Sequence, residues 1–147
     1  MRAGVYLVSA LVLAGVVSGC GGEKRLSRAE FSKRADAICA KYNAKIKALG
    51  QPGSVRALPR YVDRALPIAR KGTDELRALK PPKDEEKTAN EWLDQNDSAV
   101  GALERLRDAA EHADRTGIAA ALSEAAAANR AANRFARQLG LRVCAQG

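Results

Sequence analysis

Small apolar side chains recur every three and four residues in four separate stretches, and this spacing constrains the chain more than any other feature of it. It lines one face of an α-helix, and it lacks the strict alternation of a half-buried strand. The first stripe is Phe31, Ala35, Ile38, Tyr42, Ile46 and Leu49, with Cys39 on its edge. Ahead of it, Ser27-Arg28-Ala29-Glu30 has the Ser-x-x-Glu form of a capping box, and Gly50 and Pro52 end it. The second helix is expected to begin near Pro59 and to bury Val62, Ala65, Leu66, Ala69, Leu76 and Leu79, with a kink or break at Pro67 and an end at Pro81-Pro82. The third opens on Lys83 to Glu86, where Asp84, Glu85 and Glu86 suit the positive end of the helix dipole. Its stripe is Trp92, Ala99, Leu103, Leu106, Ala110 and Ala113. After a turn at Asp114 to Gly117, the fourth carries Ile118, Leu122, Ala125, Ala132, Phe135, Ala136 and Leu139 inward, and Gly140 stops it with Leu141 folding back. Four such stripes on short loops predict an all-α fold, an antiparallel up-down four-helix bundle over residues 27–147.

The segment ahead of the bundle points outside the cytoplasm. An apolar run beginning after Arg2 closes on Val17-Ser18-Gly19-Cys20, which looks like a bacterial lipobox. The run is shorter than the roughly 20 apolar residues that span a bilayer, and its single basic residue beside the N-terminus fits a cleaved signal peptide better than a retained anchor. The expectation is removal of residues 1–19, a diacylglyceryl (palmitate-type) modification of Cys20, and a short tether over residues 20–26. The mature protein would be a lipoprotein on the extracytoplasmic face of the cell membrane, with two acyl chains supplying the two signals that stable anchoring needs.

Three cysteines are an odd number, and assigning Cys20 to lipid leaves Cys39 and Cys144 in a compartment where disulfides persist. A bridge between them is the expectation, two buried thiols the alternative. Composition gives the bridge a purpose: aromatic residues are 4% of the chain and the helices are rich in alanine. Helices can then approach closely while each side chain buries little area, and a thin core is where a covalent staple matters most.

Motifs of chemistry are scarce. The sequence has no Gly-x-Ser-x-Gly, phosphate-binding loop, dinucleotide fingerprint, Glu-x-x-His pair or Cys-x-x-Cys-His, and its one methionine is Met1. No catalytic residue, cofactor or metal site is therefore expected. Glu104, Asp108 and His112 share a helix face at i, i+4 spacing, which reads as a solvated polar face. Asn96 falls in line between Trp92 and Ala99, and Asn129 between Ala125 and Ala132, so both are expected to point inward, with Asn133 nearby, and to bond each other as a buried polar pair, a backbone group or water, partial exposure being the alternative. Arg130, Arg134 and Arg137 line one face of the last helix, Arg60 and Arg64 one of the second, Lys41 and Lys45 one of the first. Loss of Arg2 with the leader takes the 25 basic residues to 24 against 17 acidic ones, a formal charge of +7. Anionic head groups, an anionic envelope polymer or an acidic protein are the partners such faces could engage, the Arg130, Arg134 and Arg137 face above all. Nucleic acid is not expected there.

Three islands of the sequence carry a likeness. Phe31 with Ala35-Asp36-Ala37-Ile38-Cys39, Leu76 to Leu79 before Pro81-Pro82, and Gly140-Leu141-Arg142-Val143-Cys144 resemble a group of small secreted or lipid-anchored helical proteins of actinobacteria that have no assigned activity. The resemblance implies paired cysteines and a bundle, and it carries over no catalytic residue. The expected role is that of a non-catalytic binding or structural module of the cell envelope. The alternatives are a wall-acting enzyme, which needs a cleft with facing carboxylates, and a small-molecule carrier using a cavity left by the alanine-rich core.

Overall fold

The computed structural model describes residues 24–146; the leader, Cys20 and the first residues of the tether lie outside them. The described residues are helical throughout, with no strand: α1 (Arg28–Ala48), α2 (Leu58–Arg77), α3 (Glu86–Glu111) and α4 (Arg115–Gln138), with short 3-10 turns at Val55–Ala57, Lys83–Glu85 and Cys144–Gln146. Each helix packs on its neighbour in sequence. Ion pairs give the direction: Arg70 meets Glu104 whereas Arg77 meets Asp97, so α2 and α3 run antiparallel. Among the described residues no helix is long and apolar enough to cross a membrane.

The helix ends follow from local chemistry. Ser27 Oγ accepts from the Glu30 amide at 3.3 Å, but the Glu30 carboxylate turns to Arg34 at 2.7 Å, so only half of the expected capping box forms. Gly140, at φ +74°, ends α4 in a Schellman turn: its N–H donates to Arg137 O and that of Leu141 to Ala136 O, while Leu141 is buried. The same pattern ends α3, with Ala113 N–H on Ala110 O and Asp114 N–H on Ala109 O, yet the left-handed position is filled by Ala113 at φ 52°. Ala113 is thus exposed and outside the α3 stripe, and α4 starts earlier than expected, capped by Asp114, which accepts from the Thr116 amide at 3.1 Å.

Two more expectations are corrected. Helix α2 continues through Pro67, so of the kink or break expected there the break is overturned; Pro67 lies on the exposed face, where water can solvate the carbonyl of Asp63 that proline leaves without a donor. Leu122 is 50% exposed, and Ala121 and Ala128 are buried in its place. The inward stripe of α4 is Ile118, Ala121, Ala128, Ala132 and Ala136, a row of methyl groups that lets the α4 backbone lie close to α3. Gly117 belongs to the same contact: a Cβ there would stand 3.0 Å from that of Ala109 and would collide with the Asp114 carboxylate.

The buried side chains fall into two clusters. The lower one joins all four helices and the C-terminal segment, with Phe31, Ala35, Leu76, Trp92, Leu93, Ala132, Ala136, Leu139 and Leu141. The upper one, Val62, Leu66, Leu106, Ile118 and Ala121, is built by α2, α3 and α4 alone. No Cα of α1 comes within 8 Å of one in α4, so those two helices leave an open seam. What closes the bundle at the lower end is the segment after Gly140. The Cys39–Cys144 disulfide fixes it, across 105 positions of sequence with the Cα atoms 5.3 Å apart. The Asp36 carboxylate clasps the same segment, accepting from the amides of Arg142 (2.9 Å), Val143 (2.9 Å) and Cys144 (3.1 Å).

Candidate binding groove

Between the two clusters the interior is not filled. Ala69, Ala99 and Ala125 face the gap where larger side chains would close it, leaving a cavity of about 220 Å³ that opens at the α1–α4 seam. Ile38, Ile46, Leu76, Val100 and Leu103 supply the apolar wall, and the Cys39 end of the disulfide borders it. For scale, an engineered apolar cavity of about 150 Å³ admits benzene. The space therefore suits one small apolar group.

Polar atoms are few and placed at its edge. Thr73 is buried and donates to Ala69 O at 3.2 Å, and the Asn96 amide donates to Trp92 O at 2.8 Å, so both donors are used within their own helices. Asn43 and Asn129 lie exposed on opposite lips, and neither makes a side-chain hydrogen bond among the described residues. Of the partners expected for Asn96 and Asn129, the structure gives Asn96 a backbone group of its own helix rather than Asn129; Asn96 is half-buried and Asn129 exposed. They share the wall of one groove instead.

One wall is locked by a polar cluster. Tyr42 packs on Gly72, where an added Cβ would stand 3.0 Å from the ring, and its hydroxyl donates to Glu75 at 2.6 Å. Lys41 reaches both Glu75 oxygens at 2.8 Å, and the ammonium groups of Lys41 and Lys45 each stand 4.9 Å from the Tyr42 ring. The hydrogen bonds from Lys41 and then Tyr42 hold the Glu75 carboxyl below the usual carboxylate range. The Glu75 bond raises Lys41, while burial first and the Glu75 bond second raise the Tyr42 hydroxyl. Glu75 is thus kept ionised, the opposite of what a general acid needs.

The remaining candidates are dispersed. Glu104 pairs with Arg70 and Asp108 with Arg107, while exposed His112 turns Nδ1 to Asp108 O at 2.8 Å, so the three form no acid–base array. Arg130, Arg134 and Arg137 are all exposed, without a carboxylate partner among the described residues; Arg134 donates only to Arg130 O. Arg64 reaches Leu49 O, and no group of three His, Cys, Asp or Glu among the described residues could hold a metal ion. Sequence reasoning missed Asn43, Gly72, Thr73 and the Asp36 clasp. Asp36 stands in the first island of likeness without a role assigned to it, and Asn43 left a trace four residues after Cys39 and three before Ile46, on the edge of the α1 stripe. None of the protein-family models, the curated proteins or the solved structures matches this chain.

Proposed function

We propose that the chain is a lipid-tethered, extracytoplasmic binding module without catalytic activity, and that the groove between α1 and α4 is its ligand seat. The single observation behind the reading is the gap of about 220 Å³ between two packed clusters, apolar in its walls and edged by unbonded amides. The groove leaves apolar side chains in contact with water, and an apolar group seated there would remove that surface from it. A ligand with one small apolar group inside and a hydrogen-bonding group at the mouth, between Asn43 and Asn129, would complement it. The disulfide supports placement outside the cytoplasm, where such bonds persist, and the lipobox at Cys20 supplies the tether. The ionised state of Glu75 and the absence of any carboxylate among the groove-lining residues favour binding over wall hydrolysis.

Titration with an environment-sensitive apolar fluorophore tests the seat. The wild type should enhance its emission saturably, and Ala99→Leu, which puts an isobutyl group into the gap, should abolish the enhancement while keeping or raising the melting temperature. No enhancement with the wild type, or an unchanged titration of the variant, would refute the seat. The tether is tested separately by metabolic labelling with a lipid precursor, which should mark the wild type and miss Cys20→Ala.

A further inference from the structure

The chain enters the bundle at its lower pole, and it is fastened there. The Leu26 amide donates to Lys80 O at 2.9 Å, while Arg25 reaches Pro81 O at 3.2 Å and Glu86 at 2.9 Å. Helix α4 ends at the same pole, where Arg28 donates to Gln138 O at 2.8 Å. The α1 start, the α2–α3 connection and the α4 end therefore form one surface around the point where the tether arrives.

That surface is basic beyond what its own acids neutralise. Glu86 is taken by Arg25, Glu85 by Arg28 and Glu30 by Arg34, which among the described residues there leaves Asp84 as the unpaired carboxylate. Lys24, Lys83, Lys87 and Arg137 are exposed and have no carboxylate partner among the described residues. Here the excess charge is turned outward beside the tether.

We propose that this pole is a docking surface for anionic phospholipid head groups, on which the domain stands upright; the inference rests on the reading that Cys20 carries lipid. Leu26 lies six positions after Cys20, so an anchored chain keeps the pole within about 20 Å of the bilayer surface. Ordinary excursions of the tether then bring the lysines inside the screening length of about 8 Å at physiological salt. Tyr42 lies fourteen residues beyond the start of α1, which puts the groove about 20 Å above the pole. Upright docking leaves that groove open to the aqueous side. Contact through the Arg130 and Arg134 side of α4 would require the bundle to lie down, so the two orientations depend on different residues.

The test uses residues 21–147, which contain the whole described fold, in co-sedimentation with vesicles of phosphatidylcholine alone or with one third phosphatidylglycerol. The domain should bind only the anionic vesicles, and less as salt rises. The triple variant Lys24→Gln, Lys83→Gln, Lys87→Gln should lose about 100-fold in partitioning, since each basic residue near an anionic surface contributes about 1 kcal/mol, or about fivefold. Arg130→Gln with Arg134→Gln should partition like the unaltered domain. Equal binding to both vesicle types, an unaffected lysine variant, or an equal loss in the arginine variant would each overturn the proposal. Lipid labelling of Cys20 reads the tether independently: an unlabelled Cys20 with lysine-dependent vesicle binding would remove the anchor and keep the docking surface.

Discussion

Removing the Cys39–Cys144 bond by the double substitution Cys39→Ala, Cys144→Ala should be the most damaging small change to this domain. The bridge spans 105 positions, and the chain-entropy relation gives a loop of about 100 residues close to 4.7 kcal/mol, with measured losses for native disulfides of about 2–5 kcal/mol. Little else should offset that loss, because the stripes buried between α3 and α4 are mostly methyl groups. The folded state should nevertheless survive, since Asp36 still accepts three amides of the C-terminal segment and Leu141 remains buried beneath it. The expected loss is about 3–5 kcal/mol, a large share of the roughly 5–15 kcal/mol that stabilises a typical domain. Urea unfolding followed by Trp92 fluorescence is the assay, as that side chain is 2% exposed and reports on the lower cluster. The denaturant slope should rise as well, because an unfolded chain without the crosslink exposes more surface. A loss below about 1 kcal/mol would refute the argument that this core depends on its staple.

Asp36→Asn should destabilise the oxidised domain by about 2 kcal/mol, since one charged acceptor of three amides becomes a neutral group with a single acceptor oxygen; the same urea titration measures it. Ala113→Gly should raise stability by about 1 kcal/mol, because glycine relieves the left-handed backbone at the end of α3, and no change in the melting temperature would count against that reading. Gly72→Val should cost about 2–3 kcal/mol by driving the Tyr42 ring off α2, visible as a lower melting temperature and a displaced ring in a crystal structure. The Glu75 cluster makes stability fall at both pH extremes. The lowered Glu75 pKa gives a contribution present above the unfolded value and lost as pH falls through the folded one, and the raised Lys41 and Tyr42 values give one present at lower pH and lost as pH rises through them. Thermal unfolding across the pH range should show both limbs flattened in Glu75→Gln.

What the sequence made legible was decided by periodicity. The four helices, the Ser27 and Gly140 boundaries and the cysteine pair follow from spacing, turn chemistry and parity, each of them local or countable. The phase of α4 was harder: a reading weighted by side-chain size favours Leu122, whereas a close α3–α4 approach selects the alanine row that includes Ala121 and Ala128. Pro67 does not end α2 as a break would, because the cost of a proline inside a helix depends on whether water can reach the carbonyl it deprives, and exposure is a tertiary property. The groove was equally hidden. Its existence depends on α1 and α4 standing apart, a distance that no stripe encodes, and the inward phase expected of Asn129 is only half right for the same reason.

The covalent and polar ties of α1 bear directly on that distance. Below the groove α1 is held to the C-terminal segment by Cys39–Cys144 and by Asp36, and beside it Tyr42 and Lys41 bind Glu75 of α2. Above the groove α1 contributes no residue to the upper cluster, and just past its end Arg64 donates to Leu49 O. The helix is therefore fastened at its base and along α2, and unfastened along α4. An α1 free of both ties would let the apolar walls at Ile38 and Ile46 collapse toward Val100 and Leu103. The staple that compensates a thin core is in this way also the strut that keeps the core incompletely filled, so the stability of the domain and the opening of its groove depend on the same few residues of α1.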